Sequence, residues 1–459
     1  MKRTGVFIVF IMLFYVSRAQ QTYIPDESPL INQRTREWQN LKFGLFMHWG
    51  TYSQWGIIAS WSLNPSDAKT RTGEYANNYY EYKKAYENLQ KTFNPTGFEP
   101  ENWAVAAKNA GMRYVIFTTK HHDGFCMFDT KETNYKITDP SCPFSQNENA
   151  DVTRVIFEKF RAKGFWTGAY FSKGDWNTDY YWWRRFPPCA ANVNYDIKKY
   201  PEQWNKFVDF THNQVMEIMT NYGVDILWFD GGWASSDGDI RMDSLVQKPR
   251  NVNPDVLVVD RFVTGKNQNY LTPENHVPKE PIADPWEVCL CSADDGTWSW
   301  RPGARYMSGR EGVHLLIDVV SKGGNLLLNI APGPDGKWDQ GAYDMLEEYA
   351  DWMKVNSEGI YNTRAVIPYR EGKICFTRNE DSGNMFFFYL SDEGENEMPS
   401  EIIVKSYQPE SGDKVILLGY KGTLKWDKYD SGFRVTIPEN LRKNPPCKYA
   451  WTIKLIKAK

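Results

Sequence analysis

Between residues 43 and 330, short apolar runs recur with polar or aromatic loops and helix-forming stretches between them. The runs are Phe43–Gly50, Tyr114–Lys120, Phe165–Ser172, Asp225–Phe229, Val256–Asp260, Pro285–Leu290 and Asn325–Ile330. Each is nearly continuous in hydrophobic residues, as parallel strands covered on both faces are. Helices are expected at Glu101–Ala110, ending at Gly111, at Asp151–Phe160, ending near Gly164, and from Pro201 to Gly223. Each closes on the glycine that a helix C-terminus favours. In the longest, Trp204, Phe207, Val208, Val215, Ile218, Met219 and Tyr222 fall at helical spacing, so these aromatics are core rather than ligand contacts. Such alternation predicts an α/β fold, a TIM-like (β/α) barrel, irregular in that seven strands are identifiable rather than eight.

After Gly359 the period changes. Lys373–Thr377, Asn384–Leu390, Lys414–Gly419, Phe433–Ile437 and Ala450–Leu455 are short alternating runs separated by turn residues. They predict an all-β sandwich. At the other end, Met1-Lys-Arg, the apolar stretch Gly5–Val16 and a small-residue site near Ala19 have the layout of a cleaved secretory signal. The expected organisation is therefore a signal peptide over 1–19, a barrel over 20–360 and a sandwich over 361–459. Export to a periplasmic, extracellular or lysosome-like compartment follows. No Cys follows the apolar stretch to carry a lipoprotein anchor, and no later segment has 18 consecutive apolar residues, so no membrane insertion is expected.

The 54 basic and 57 acidic residues are mixed along the chain, which suggests neither nucleic acid nor an anionic membrane as partner. Seven cysteines cannot all pair within one chain and form no CxxC ladder, which argues against structural zinc; no pairing is assigned. Nineteen Trp and 27 Tyr are more than core packing usually needs, and exposed aromatic faces suit the apolar faces of sugar rings.

In a parallel barrel the active site lies at the C-terminal ends of the strands. Four of those ends carry chemistry: His48-Trp49-Gly50, Lys120-His-His-Asp-Gly-Phe125, Asp230-Gly231-Gly232 and Asp260-Arg261. Asp230 taken alone could simply cap the next element. Three of the chain's six histidines at two such ends point instead to a polar pocket. The glycines after Asp230 are expected to leave room for a ligand.

His48, His121, His122 and Asp230 would suffice as zinc ligands by type. Neighbouring residues of an extended strand face opposite ways, however, so His121 and His122 share a site only if the chain turns between them. No HxH or HExxH occurs, and no metal or other cofactor is expected. A carboxylate mechanism needs a second carboxyl. Glu287, beside Trp286 and ahead of Trp298 and Trp300, is the best placed in sequence, with Glu274, Glu280 and Glu311 as rivals. Burial against indoles would keep it protonated as a general acid while Asp230 stays ionised, the division of labour of glycoside hydrolysis.

Phe43–Gly50, Lys120–Phe125, Trp228–Gly232 and Gly323–Gly336 in this order resemble the α-L-fucosidases of glycoside hydrolase family 29, and Val415–Gly419 is similar to that family's C-terminal signature. The resemblance implies a retaining exo-glycosidase of the broadly specific subgroup. It would remove terminal α-L-fucose from an oligosaccharide or glycoconjugate without a cofactor. By position it implies Asp230 as nucleophile and Glu287 as acid/base, with His48, His121, His122, Trp228 and Arg261 lining the sugar pocket. Trp61, Tyr170 and Trp300 fall at its aromatic positions. The chain departs from the family in having Ser60-Trp61 for Glu-Trp, Tyr170-Phe-Ser172 with Asp175-Trp176 on the third strand, and Ser299-Trp-Arg-Pro302 after Glu287. Which of Tyr170 and Phe171 faces the sugar stays open. Two other readings share the fold: an exo-glycosidase for another L-sugar such as an α-L-galactoside, and a catalytically silent fucose-binding protein. Oligomeric state is not legible.

Overall fold

The structure, a computed structural model, describes residues 23–263 and 265–458. The expected signal at 1–19 lies outside them. Seven parallel strands, β1 Phe43–Met47, β2 Tyr114–Lys120, β3 Trp166–Ser172, β4 Ile226–Asp230, β5 Leu257–Asp260, β6 Glu287–Cys291 and β7 Asn325–Asn329, form one TIM-like sheet. Its order is β5-β4-β3-β2-β1-β7-β6.

Between β5 and β6 the place of an eighth strand is filled by an irregular stretch. Asn269 N donates to Val258 O at 2.8 Å, while Leu271 and Glu274 make parallel bridges to Trp286 and Cys289. Pro273 in its middle has no amide hydrogen for a ladder, so only fragments of pairing form. That is why this segment has no strand signature in the sequence.

Alternation sorts the side chains. Phe46, Tyr114, Ile116, Tyr170, Ile226, Trp228, Val259 and Leu327 pack together inside the barrel. Leu45, Val115, Phe117, Phe171, Phe229, Val258 and Leu328 face the surrounding helices. The helices Pro100–Asn109, Val152–Ala162 and Pro201–Tyr222 fall where glycine punctuation places them.

The C-terminal part is two antiparallel sheets. In the larger, the strands Lys414–Leu417, Ala450–Ile456, Met385–Leu390 and Ile374–Asn379 are neighbours in that order; the smaller is Glu401–Val404, Gly432–Thr436 and Lys425–Tyr429. Phe376, Phe387, Val415 and Trp451 fill the space between the sheets with Val404 and Phe433. On the other face of the larger sheet, Cys375, Phe386, Phe388 and Ala450 join the barrel's helix-side core. Both faces of that sheet are thus buried.

Candidate active site

β4 delivers Asp230 as its last residue, and the residue is 7% exposed. Oδ2 accepts from the Tyr170 hydroxyl at 2.8 Å and lies 3.4 Å from Arg261 Nη1. Oδ1 accepts from Gly231 N at 2.8 Å, and His122 Nε2 is 4.0 Å from Oδ2. Burial opposes the charge, but Arg261, His122, the Tyr170 hydroxyl and the Gly231 amide together outweigh it and hold the carboxyl below its ordinary range. Tyr170, then, is the third-strand residue that faces the site, and Phe171 faces outward.

The two glycines serve the backbone rather than a ligand. Gly231 adopts φ 73°, and a Cβ there would stand 3.0 Å from Gly174 N. A Cβ on Gly232 would stand 3.0 Å from Arg261 O. They let the ends of β3, β4 and β5 close together.

β2 ends at Lys120 and the chain turns at once, with Gly124 N donating to His121 O at φ 80° for the glycine. The turn overrides the strand alternation that would separate His121 from His122: their rings lie 4.1 Å apart, and His48 lies 5.7 Å from His121. Each Nδ1 is anchored, His48 by Asn329 Oδ1 at 2.8 Å, His121 by Ser60 Oγ at 2.5 Å and His122 by Ser172 Oγ at 2.7 Å. Ser172 gives its own hydrogen to Gly174 O, so it accepts from His122 Nδ1–H and leaves Nε2 as a free acceptor. Burial holds all three rings neutral, pushing His48 down to about 3, His122 to about 4 and His121 well down. Neutral imidazoles whose Nε2 is uncommitted suit sugar hydroxyls. Among the described residues no group of three or more His, Cys, Asp and Glu side chains is placed to hold a metal ion.

The rest of the Lys120–Phe125 motif is framework. Lys120 Nζ pairs with Asp175 at 3.1 Å, Asp123 accepts from the Tyr86 hydroxyl at 2.8 Å, and a Cβ on Gly124 would collide with Asp175.

Aromatic rings close the site. Trp228 stacks on Tyr170, centroids 5.4 Å apart, and Tyr170 stacks on His121 at 5.5 Å. Trp61 meets His122 at 5.1 Å and Trp233 at 5.7 Å. Trp298 packs against His48 at 5.1 Å. Trp300, expected on this wall, instead donates its indole hydrogen to Asp339 at 3.0 Å, because its side chain points out of the loop toward the helix Gln340–Asn356. Trp298 takes the place beside the histidines.

The two acidic candidates part company. Glu287 is the first residue of β6, not the last, and is fully buried. Its Oε2 accepts from the Tyr114 hydroxyl at 2.6 Å, and its Oε1 accepts from Trp228 Nε1 at 3.2 Å. Register puts it opposite Asn325, which opens β7, so it lies at the N-terminal layer beneath the Trp228 ring. The expectation of Glu287 at the mouth fails because the apolar run Pro285–Leu290 carries its glutamate at the start. Glu274, one of the rivals, lies on the irregular stretch level with Cys289 and is ion-paired with Arg261 Nη2, whose Nη1 faces Asp230.

Ser172 and Asn329 went unnoticed in the sequence, although they are polar residues at the ends of β3 and β7 and the criterion that singles out Asp230 would reach them. The anchoring role of Ser60 and the orientations of Trp298 and Trp233 have no sequence signal, since they depend on loop paths.

A barrel mouth holding one ionised carboxylate, a second across a shared arginine, and neutral imidazoles and indoles around them is that of a glycoside hydrolase working through carboxylates. The α-L-fucosidase family model matches residues 11–358 and the α-L-fucosidase C-terminal domain model matches 369–456. Human tissue α-L-fucosidase is 27% identical over 487 residues, covering 98% of this chain and 97% of that one. The structure of α-L-fucosidase isoenzyme 1 from Paenibacillus thiaminolyticus matches with a TM-score of 0.76 at 27% identity, over 94% of this chain and 100% of that one. That of Thermotoga maritima α-fucosidase with a mechanism-based inhibitor matches with a TM-score of 0.74 at 25% identity, over 95% and 100%. The chain belongs to the α-L-fucosidase family, and its activity is that of an α-L-fucosidase.

Proposed function

We propose that this enzyme removes terminal α-L-fucosyl residues from oligosaccharides or glycoconjugates with Asp230 as nucleophile and Glu274 as acid/base. Asp230 attacks the anomeric carbon as Glu274 gives its proton to the departing glycosidic oxygen. Glu274 then takes a proton from water, which attacks the same carbon and releases fucose and the Asp230 carboxylate. The observation that carries this reading is Arg261, which touches Asp230 with one terminal nitrogen and Glu274 with the other. A single guanidinium between two carboxyls suits the separation of about 5 Å that double displacement needs. Glu287 has no such access, since Trp228 lies over it.

His48, His121 and His122 would accept hydrogen bonds from fucose hydroxyls, and the Trp61, Trp228 and Trp298 rings would bound the sugar's apolar parts. Incubation with a 2-fluoro-fucosyl fluoride followed by peptide mass analysis tests the assignment. A label on the peptide carrying Asp230 supports it; a label elsewhere removes Asp230 from the role, and no label favours a silent fucose-binding protein.

The N-terminal layout supports export with cleavage near Ala19. N-terminal sequencing of the mature chain tests that. Among the described residues no helix is long and apolar enough to cross a membrane.

A further inference from the structure

β3 leads into a long loop, residues 173–200, which ends where the helix Pro201–Tyr222 begins, so the loop lies at the mouth end of the barrel. It starts in the pocket wall: the Trp176 ring stands 5.3 Å from His122 and 5.7 Å from Trp61. Trp182 stacks on Trp176 at 5.3 Å, and the chain then emerges into solvent as Trp183-Arg-Arg-Phe186.

This outer part of the loop holds cations without counter-ions. The rings of Trp183, Phe186 and Tyr200 pack on one another, and the Arg185 guanidinium lies 5.5 Å, 5.7 Å and 5.8 Å from their respective centroids. Lys199 Nζ lies 5.4 Å from the same Tyr200 ring. Both cations are exposed, and among the described residues no carboxylate comes within 4.0 Å of either. The loop's own acids are turned to the backbone: Asp179 accepts from Arg184 N at 2.8 Å and Asp196 from Lys198 N at 2.9 Å. Two like charges gathered at one ring repel each other, and nothing in the fold neutralises them. A merely solvated arginine would need no cradle of three rings. Such a cradle holds the side chain extended and leaves the in-plane N–H fork, which suits a carboxylate or a sulfate, open to a ligand.

We propose that Arg185 and Lys199 form a subsite for an anionic group, a sulfate ester or a carboxylate, on the glycan that carries the fucose. This rests on the reading that the enzyme acts on fucosylated oligosaccharides or glycoconjugates. The loop runs from the wall of the fucose pocket to these cations, and the half-buried rings beside them offer flat apolar faces to the sugar that bears the charge.

The test uses one fucosylated oligosaccharide in three forms: sulfated on the leaving glycan, chemically desulfated, and with a uronic acid in place of the sulfated sugar. In the wild type, kcat/KM for an anionic form exceeds that for the desulfated form by about tenfold at low salt, chiefly through KM. The excess disappears in the double variant Arg185→Gln with Lys199→Gln, and also near 1 M salt, where charges are screened beyond about 3 Å. An excess for the sulfated form alone assigns the subsite to sulfate, and for the uronic form alone to carboxylate. No excess in the wild type, or one that survives in the variant, would overturn the subsite. So would an equal loss on all three forms, the mark of a loop that only supports the fold. Cleavage of an aryl fucoside with none of the oligosaccharides would instead overturn the reading of a glycan substrate.

Discussion

Trp228 gives its indole hydrogen to Glu287 Oε1 at 3.2 Å, from a position two residues before Asp230 on the same strand. One ring therefore separates two carboxyls that would have to act together if the Trp-Glu motif supplied the acid.

The two glutamates should respond oppositely to substitution. Glu274→Ala is expected to lower kcat/KM for fucosyl disaccharides by about 100-fold or more, with far less effect on aryl fucosides whose leaving groups need no proton. Azide should recover turnover of the activated substrates. Glu287→Gln should leave the discrimination between leaving groups as in wild type. Steady-state rates on both substrate classes decide it, and a leaving-group effect confined to Glu287→Gln would return the acid role to the buried residue.

Glu287 should show itself in stability. Burial raises its carboxyl from 4.5 to about 7, against the hydrogen bonds from Tyr114 and Trp228. The unfolded chain ionises this group at the lower pH, so the native state is favoured below 4.5 and loses stability as pH rises to about 7. The amplitude is about 3 kcal/mol. Asp123, buried and raised from 3.8 to about 7, acts in the same direction. Urea midpoints across this window should fall with pH, and Glu287→Gln should flatten part of the slope.

Asp230 has the opposite sign. Its depressed pKa puts the acid limb of kcat/KM below 3.8, because the nucleophile must be ionised. Arg261→Met would leave burial opposed only by His122, Tyr170 and Gly231, so the limb should move upward, and kcat/KM at neutral pH should fall with it. A pH profile on an aryl fucoside measures the shift. Asp230→Ala should abolish turnover of every substrate.

Ser60 offers a smaller test. Its hydroxyl meets His121 Nδ1 in a fully buried place. Ser60→Ala leaves that nitrogen without its partner, which costs about 1–3 kcal/mol. A fall of kcat/KM by about tenfold, with Tm lowered by a few degrees, is expected; unchanged kinetics would remove His121 from the sugar pocket.

How far the sequence reached can be judged from particular residues. β2 and β4 were legible because strands covered on both faces must be continuously apolar, and Asp230 because it interrupts such a run at its C-terminal end. The missing eighth strand was not legible, since the stretch 269–275 is held by a few fragmentary pairs around Pro273. Glu287 misled for a related reason: the run Pro285–Leu290 is apolar throughout, and nothing in it says which end faces the mouth. Alternation left the histidine pair open, and a turn begun at His121 decides it by bringing His121 and His122 to one side. Trp298 and Trp300 differ by two positions, and only the loop's path decides which of them meets His48.

The same strand logic governs how the barrel and the sandwich depend on each other. Phe386 and Phe388 point to the barrel while Phe387 points to the smaller sheet, as alternation requires. On the barrel side Trp352 stands 6.2 Å from Phe388 and donates its indole hydrogen to Ala450 O at 2.9 Å. Phe388→Ala should therefore cost about 3–5 kcal/mol, as a large buried ring removed without collapse does. Because this core is shared, the chain should unfold in one transition, with near-ultraviolet dichroism and tryptophan fluorescence melting together. In Phe388→Ala the transition should move to lower temperature or divide in two. A sandwich that melts separately in the wild-type protein would show that the shared core does not couple the two parts.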